Sequence, residues 1–218
     1  MELETINSWI IEECIDKWES EFHDSECEYG KCLDNARLIG LTSLVNPSGI
    51  VKQFLYKWGG MGRVLGRSKY LNWENVAEKQ ININIKGLMD FKNKELFDTD
   101  LDEYEPIIKR CYESFEKAVG SIAAAKTLHL ICPNFFPLWD NAIADSIRNE
   151  RLTKKKPFAK NYLFSPEDYS DFMKDIQNFA KRNNQILSEL ELKYNTTKIR
   201  IIDEFLWWMT HRPLSRFF

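Results

Sequence analysis

Apolar residues recur along most of this chain at three- and four-residue intervals, the spacing that gathers them on one side of a helix. Over 5–22 they are Ile6, Trp9, Ile10, Ile15, Trp18 and Phe22, with acids between them, and an amphipathic helix is predicted there. Glu28 to Gly30 reads as its break, and a second helix is expected over 31–41, with Leu33, Ala36, Arg37 and Gly40 along one side. Asn46 and Pro47 form a cap followed by proline at the first helical position, which opens a helix through Trp58. Ile81-Asn82-Ile83-Asn84-Ile85 has instead the two-residue period of a half-buried strand. A lone strand is not stable, so 71–98 is expected to be a loop or short hairpin.

The helical period returns at Thr99 or Asp100 and runs to Val119, with Ile107, Ile108, Cys111, Tyr112, Phe115 and Val119 on the apolar side. After Gly120 a helix over 121–132 is stopped by Pro133, and Pro137 bars regular helix in the turn that follows. Asp140 caps the next helix, to about Arg148. Ser165-Pro166-Glu167-Asp168 combines cap, first-position proline and first-turn acids, and a long helix to about Leu192 is expected from it. Asn195-Thr196-Thr197 ends that helix, and a last one covers 198–210, with Trp207-Trp208 and Phe217-Phe218 looking exposed near the C-terminus. The expected class is all-α: one domain over 1–218, with room for two small lobes, about 1–98 plus the C-terminal helices and about 99–160.

Composition narrows the class of function more than the fold. Apolar residues are 44 % and charged residues 29 % of 218, the balance of a soluble globular protein, and no apolar run reaches the length of a membrane span. Met1 to Glu28 is rich in acids and carries Lys17 as its single basic residue, unlike a secretory leader, so a cytoplasmic location is expected. The five cysteines fit a reducing compartment. Cys14, His23, Cys27 and Cys32 could compose a zinc set, but the last two are wider apart than in most knuckles and the first two share a predicted helix, so buried free thiols are the preferred reading.

The net charge of −3 conceals a segregation. Lys52, Lys57, Arg63, Arg67 and Lys69 occur without an intervening acid, and Arg148, Arg151, Lys154, Lys155, Lys156 and Lys160 are opposed by Glu150 alone. Such segments can bind a polyanion locally although the total is acidic, because salt screens the distant charge. The glycine-rich stretch Gly59-Gly60-Met61-Gly62-Arg63-Val64-Leu65-Gly66-Arg67 lies within the first of them. It is not a Walker loop, and reads either as a basic loop on a phosphate backbone or as a tight turn between helices.

Candidate chemistry centres on Lys126, the only charge between Lys117 and Asp140. A lysine among apolar neighbours loses pKa by desolvation, and its neutral amine can attack a sugar C1′ to form a Schiff base. His129, three residues on, shares its face. Asp140, beyond a short turn, could stabilise an oxocarbenium ion, while Trp58, Phe136 and Trp139 could stack an extruded base.

The segment Ala124–Asp140 resembles the helix-hairpin-helix DNA glycosylase superfamily, in particular the members that use a lysine to excise a base and nick the strand. Lys126, Pro137 and Asp140 match its catalytic lysine, the proline before its catalytic aspartate and that aspartate. Ile122-Ala123-Ala124-Ala125-Lys126-Thr127-Leu128 keeps the Lys-Thr pair of the hairpin motif and lacks its two glycines. The resemblance implies a glycosylase-like fold and excision with lysine lyase chemistry. It implies catalysis by Lys126 and Asp140 and substrate contacts from His129, Trp139, Phe136 and Trp58. Double-stranded DNA would be bound through Arg63, Arg67, Arg148, Arg151, Lys154, Lys155 and Lys156, with neither cofactor nor metal required. Two alternatives stand beside it: a non-catalytic helical binding or regulatory protein of the same fold, and an enzyme acting on a free nucleoside or another small molecule.

Overall fold

The structure is a computed structural model and describes residues 6–39, 49–66, 72–144 and 165–212. Among them it is all-helical, without a strand. Helix α1 (Ser8–Ile39) is followed by α2 (Ile50–Gln53), which continues as a π-helical turn (Phe54–Trp58), and by α3 (Gly62–Leu65) and α4 (Trp73–Lys92). A 3-10 turn (Leu96–Asp98) leads to α5 (Leu101–Val119) and α6 (Ser121–Ile131). Residues 141–144 are helical, and α7 (Pro166–Arg182), α8 (Asn184–Tyr194) and α9 (Lys198–His211) complete the described chain.

Local chemistry starts these helices. Asp100 accepts the amide of Asp102 at 3.0 Å to cap α5. Ser165 and Asp168 cap α7 reciprocally, each side chain accepting the other's backbone N–H at 3.1 Å. Thr197 caps α9 through the Arg200 amide at 3.1 Å. Helix α5 is the hub, packed against α4, α6 and α7, while α1 packs along α9 and touches α2, α6 and α8. One apolar cluster runs through all of this, from Ile11 to Trp208.

The structure corrects four expectations. Residues 73–92 form α4, not a loop or hairpin: Trp73, Ala77, Ile81, Asn84, Leu88 and Phe91 make a buried helical stripe, and Ile83, which suggested alternation, is 62 % exposed. Helix α1 passes through Glu28–Gly30 unbroken, and its one irregularity lies at Phe22 (φ −123°, ψ 20°). The long helix expected after Ser165 is divided at Asn183 into α7 and α8. Trp208 is buried, and the half-buried Trp207 packs on Trp18, Phe22 and His211. Of the cysteines, Cys14, Cys32, Cys111 and Cys132 are buried and Cys27 is exposed, all as free thiols.

Between α5 and α6 the chain turns on Gly120 alone, at φ 83° and ψ 160°. That backbone region is essentially closed to residues with a Cβ. Gly120→Ala is therefore expected to lower stability by about 1–3 kcal/mol, read as a lower denaturation midpoint with an unchanged slope. An unmoved midpoint would mean the turn relaxes without strain.

Candidate functional site

Lys126 lies in mid-α6, half-buried, on a helix whose other residues from Ala123 to Ile131 are fully buried. Its Nζ donates a hydrogen bond to the Gly59 carbonyl at 2.7 Å and stands 5.5 Å from the centroid of the Trp58 ring. The carbonyl is aimed by an unusual turn. The π-helical residues 54–58 close with the Gly59 amide on the Phe54 carbonyl at 2.7 Å, and Gly60 then takes φ 64°. A Cβ on Gly59 would meet the Leu55 carbonyl oxygen at 3.0 Å, so the turn closes tightly on its own helix. The glycine-rich stretch thus works as an inter-helix turn that delivers an acceptor to Lys126. Burial pushes the pKa of that amine down, partly opposed by the fields of Asp203 and Asp140.

Behind the lysine lies a buried ionic cluster centred on Arg200 of α9. Its guanidinium pairs with Glu26 of α1 through Nη2 and, at 3.1 Å, through Nε, and its Nη1 pairs with Asp203. Glu204 lies 2.9 Å from the same Nε without hydrogen-bond alignment. Three rings box the guanidinium, with centroids 5.3 Å (Trp18), 4.8 Å (Tyr29) and 4.9 Å (Trp58) from Cζ. Desolvation raises the Glu204 pKa well above the usual carboxylate range and that of Asp203 to about 6. For Glu26 the Arg200 charge and hydrogen bonds outweigh burial and hold it ionised.

The two carboxylates that act on the lysine differ in their commitments. Asp140 caps residues 141–144 by accepting the Ile143 amide at 2.8 Å, and its Oδ2 lies 3.7 Å from His211 Nε2. Asp203 gives Oδ2 to Arg200, and among the described residues its Oδ1 receives no hydrogen bond. Of the charges that hold the Lys126 pKa up, Asp203 acts more strongly than Asp140.

His129 is entirely buried. Its Nδ1 meets the Phe136 carbonyl at 2.8 Å, so that nitrogen carries the proton, and Nε2 accepts from Tyr29 Oη at 2.6 Å. Phe136 and Trp139 are core residues, Phe136 edge-on to Phe91 and Phe135, Trp139 among Tyr112, Tyr169 and Phe172. The structure therefore brings Lys126, Trp58 and Asp140 into one electrostatic neighbourhood and buries His129, Phe136 and Trp139 in the core. Arg63 is exposed on α3. Arg67, Arg148, Arg151, Lys154, Lys155 and Lys156 lie outside the described residues, as do Phe217 and Phe218.

Sequence reasoning missed Glu26, Tyr29, Arg200, Asp203 and Glu204. The signal available was Arg200 itself, a cation set between Ile199 and Ile201-Ile202, on the apolar side of the last predicted helix. No group of histidines, cysteines and acids among the described residues forms a metal-binding cluster, and none of their helices is long and apolar enough to cross a membrane. No protein-family model, curated protein or solved structure matches the chain. Fold and site together define an all-helical protein with a half-buried lysine in the fields of Asp140 and Asp203 and a buried ionic cluster on Arg200.

Proposed function

We propose that this protein is a DNA glycosylase-like enzyme with lysine Schiff-base chemistry. The observation that carries the reading is Lys126: a half-buried amine whose pKa is lowered by burial, in the fields of Asp140 and Asp203 and beside the Trp58 ring. A neutral amine is the attacking form, and a fixed carboxylate stabilises positive charge as it develops on the sugar. Lys126 is the nucleophile and Asp140 the electrostatic stabiliser in this reading. Arg63, exposed two residues beyond the Met61 that closes the glycine turn, is the surface cation that would meet a phosphate in this reading.

One contact favours a second reading. The Lys126 bond to Gly59 is also what a lysine that only ties a loop to a helix would make, which suits a non-catalytic binding protein. Borohydride trapping on duplexes carrying an abasic site, 8-oxoguanine or uracil separates the two. The enzyme reading expects a covalent protein–strand adduct with the unaltered chain that Lys126→Gln reduces to background. It also expects association with the duplex to weaken as salt rises, because phosphate contacts release counterions. No adduct on any duplex would move the assignment to the binding protein, and an adduct with a free nucleoside alone would point to a small-molecule enzyme.

A further inference from the structure

We propose that the cleft between α7 and the segment that opens α5 binds a small zwitterion, an amino acid with an apolar side chain. The cleft shares no residue with the Lys126 neighbourhood, and the inference stands apart from the Schiff-base reading.

The cleft has a volume of about 440 Å³, within the range of sites that hold small molecules. Residues 97–102, running from the 3-10 turn into α5, form one wall. Helix α7 forms the other with Lys174, Gln177, Asn178 and Lys181, which helical spacing places on one side.

Gln177 is the residue that points to a ligand. It is 8 % exposed, and its Nε2 donates to the Leu96 carbonyl at 2.6 Å and to the Thr99 carbonyl at 2.7 Å. Both partners are acceptors, so the NH₂ end must face them and both of its hydrogens are used. The amide is pinned, and its Oε1 receives no hydrogen bond among the described residues although the side chain lines the cleft. A nearly buried carbonyl held in that way calls for a donor.

The neighbouring carboxylates decide which donor. Asp98 has no side-chain partner among the described residues, and Asp100 spends one oxygen on the Asp102 amide and keeps the other. Three acceptors, two of them anionic, match the three N–H bonds of an ammonium group. These acids form no metal-binding cluster. On the opposite wall Lys181 follows Gln177 by one helical turn, about 5–6 Å away at Cβ. Neither it nor Asn178 has a side-chain partner among the described residues, and together they offer donors to a carboxylate. Lys174 is already tied to Asp102 at 2.5 Å and Glu105 at 2.6 Å, so Lys181 is the lining cation left for an anion. A simple anion would meet the two carboxylates, and a bare amine would leave Lys181 unpaired. A molecule with both poles satisfies both walls, and the half-buried Phe97 gives its side chain an apolar surface.

The test is calorimetric titration of the full chain with L-leucine, L-methionine and L-phenylalanine. The amide of each, which lacks the carboxylate, and its N-acetyl form, which lacks the ammonium, are titrated in parallel. Saturable one-site binding of at least one amino acid is expected, about tenfold or more weaker for both of its derivatives. Lys181→Gln and Asp98→Asn should each weaken it by about tenfold or more. Both positions are exposed, so the variants should keep the denaturation curve of the unaltered chain. Absence of saturable binding by all three amino acids would overturn the proposal. A derivative that binds as tightly as its parent, or an affinity that neither substitution moves, would overturn it as well. Borohydride trapping reads Lys126 and this titration reads the cleft, so either reading can fail without the other.

Discussion

Arg200→Ala should cost about 3–5 kcal/mol of stability, the usual penalty for stripping one partner from a buried ion pair. Arg200 is 1 % exposed, and its removal leaves Glu26 and Asp203, at 13 % and 12 % side-chain exposure, without their cation. It also empties the space between Trp18, Tyr29 and Trp58, so packing is lost as well as charge. The pair joins α9 to α1 across 174 residues of sequence and so closes the molecule on its N-terminal helix. Arg200→Lys should recover only part of the loss, because an ammonium cannot reproduce the fork that reaches Glu26 through Nε and Nη2. Denaturant unfolding measures both. A loss below about 1 kcal/mol for Arg200→Ala, the range of exposed pairs, would mean that water already reaches the cluster.

The acid behaviour of His129→Gln should be the second large effect. Burial lowers the His129 pKa from its ordinary 6.5 to about 3, the Phe136 carbonyl opposing the shift and Arg200 adding to it. The imidazole stays neutral in the folded protein while the unfolded chain takes a proton below 6.5. The unfolded state therefore binds more protons, and this residue's contribution to stability, complete above 6.5, is lost as pH falls towards 3. Glutamine does not titrate, so the variant escapes that loss. At neutral pH it should be the less stable protein, since the Tyr29 to His129 to Phe136 chain of hydrogen bonds is broken. Its deficit should then shrink by about 1.4 kcal/mol per pH unit below 6.5. Asp203 and Glu204 act in the opposite sense: their raised values make the folded state hold protons, so their contributions are fullest in acid and fade as pH rises through the folded values. Both proteins retain those carboxylates, so the difference between the two stability curves isolates His129. Curves that stay parallel below pH 6.5 would show that the imidazole titrates normally and is hydrated.

The chemistry proposed for Lys126 depends on the same burial. The amine sits where α6 meets the glycine turn, in the fields of Asp203 and Asp140 and of the Arg200 cation that helps lower its pKa. Stability and reactivity thus draw on one network, so each Arg200 variant needs its fold verified before its trapping rate is interpreted.

Features set by local chemistry are legible in the amino-acid order alone. The caps at Asp100, Ser165 and Asp140, the stop at Pro133 and the break at Asn195 all lie where their side chains or backbone preferences place them, because each acts within a single turn. Lys126 stood out as a lone charge in an apolar helix, and the structure sets it at a buried edge. Tertiary packing decided the rest. Ile81-Asn82-Ile83-Asn84-Ile85 alternates like a strand, yet Ile81, Leu88 and Phe91 are buried together on a helix, since the cost of an unpartnered strand outweighs a short local pattern. Gly30 continues α1, where the burial of Tyr29, Cys32 and Leu33 outweighs glycine's weak helix propensity of about 1 kcal/mol. The Glu26, Arg200, Asp203 and Lys126 cluster was illegible for a related reason: its members come from helices far apart in sequence, and what makes them a site is the desolvation they share once those helices close.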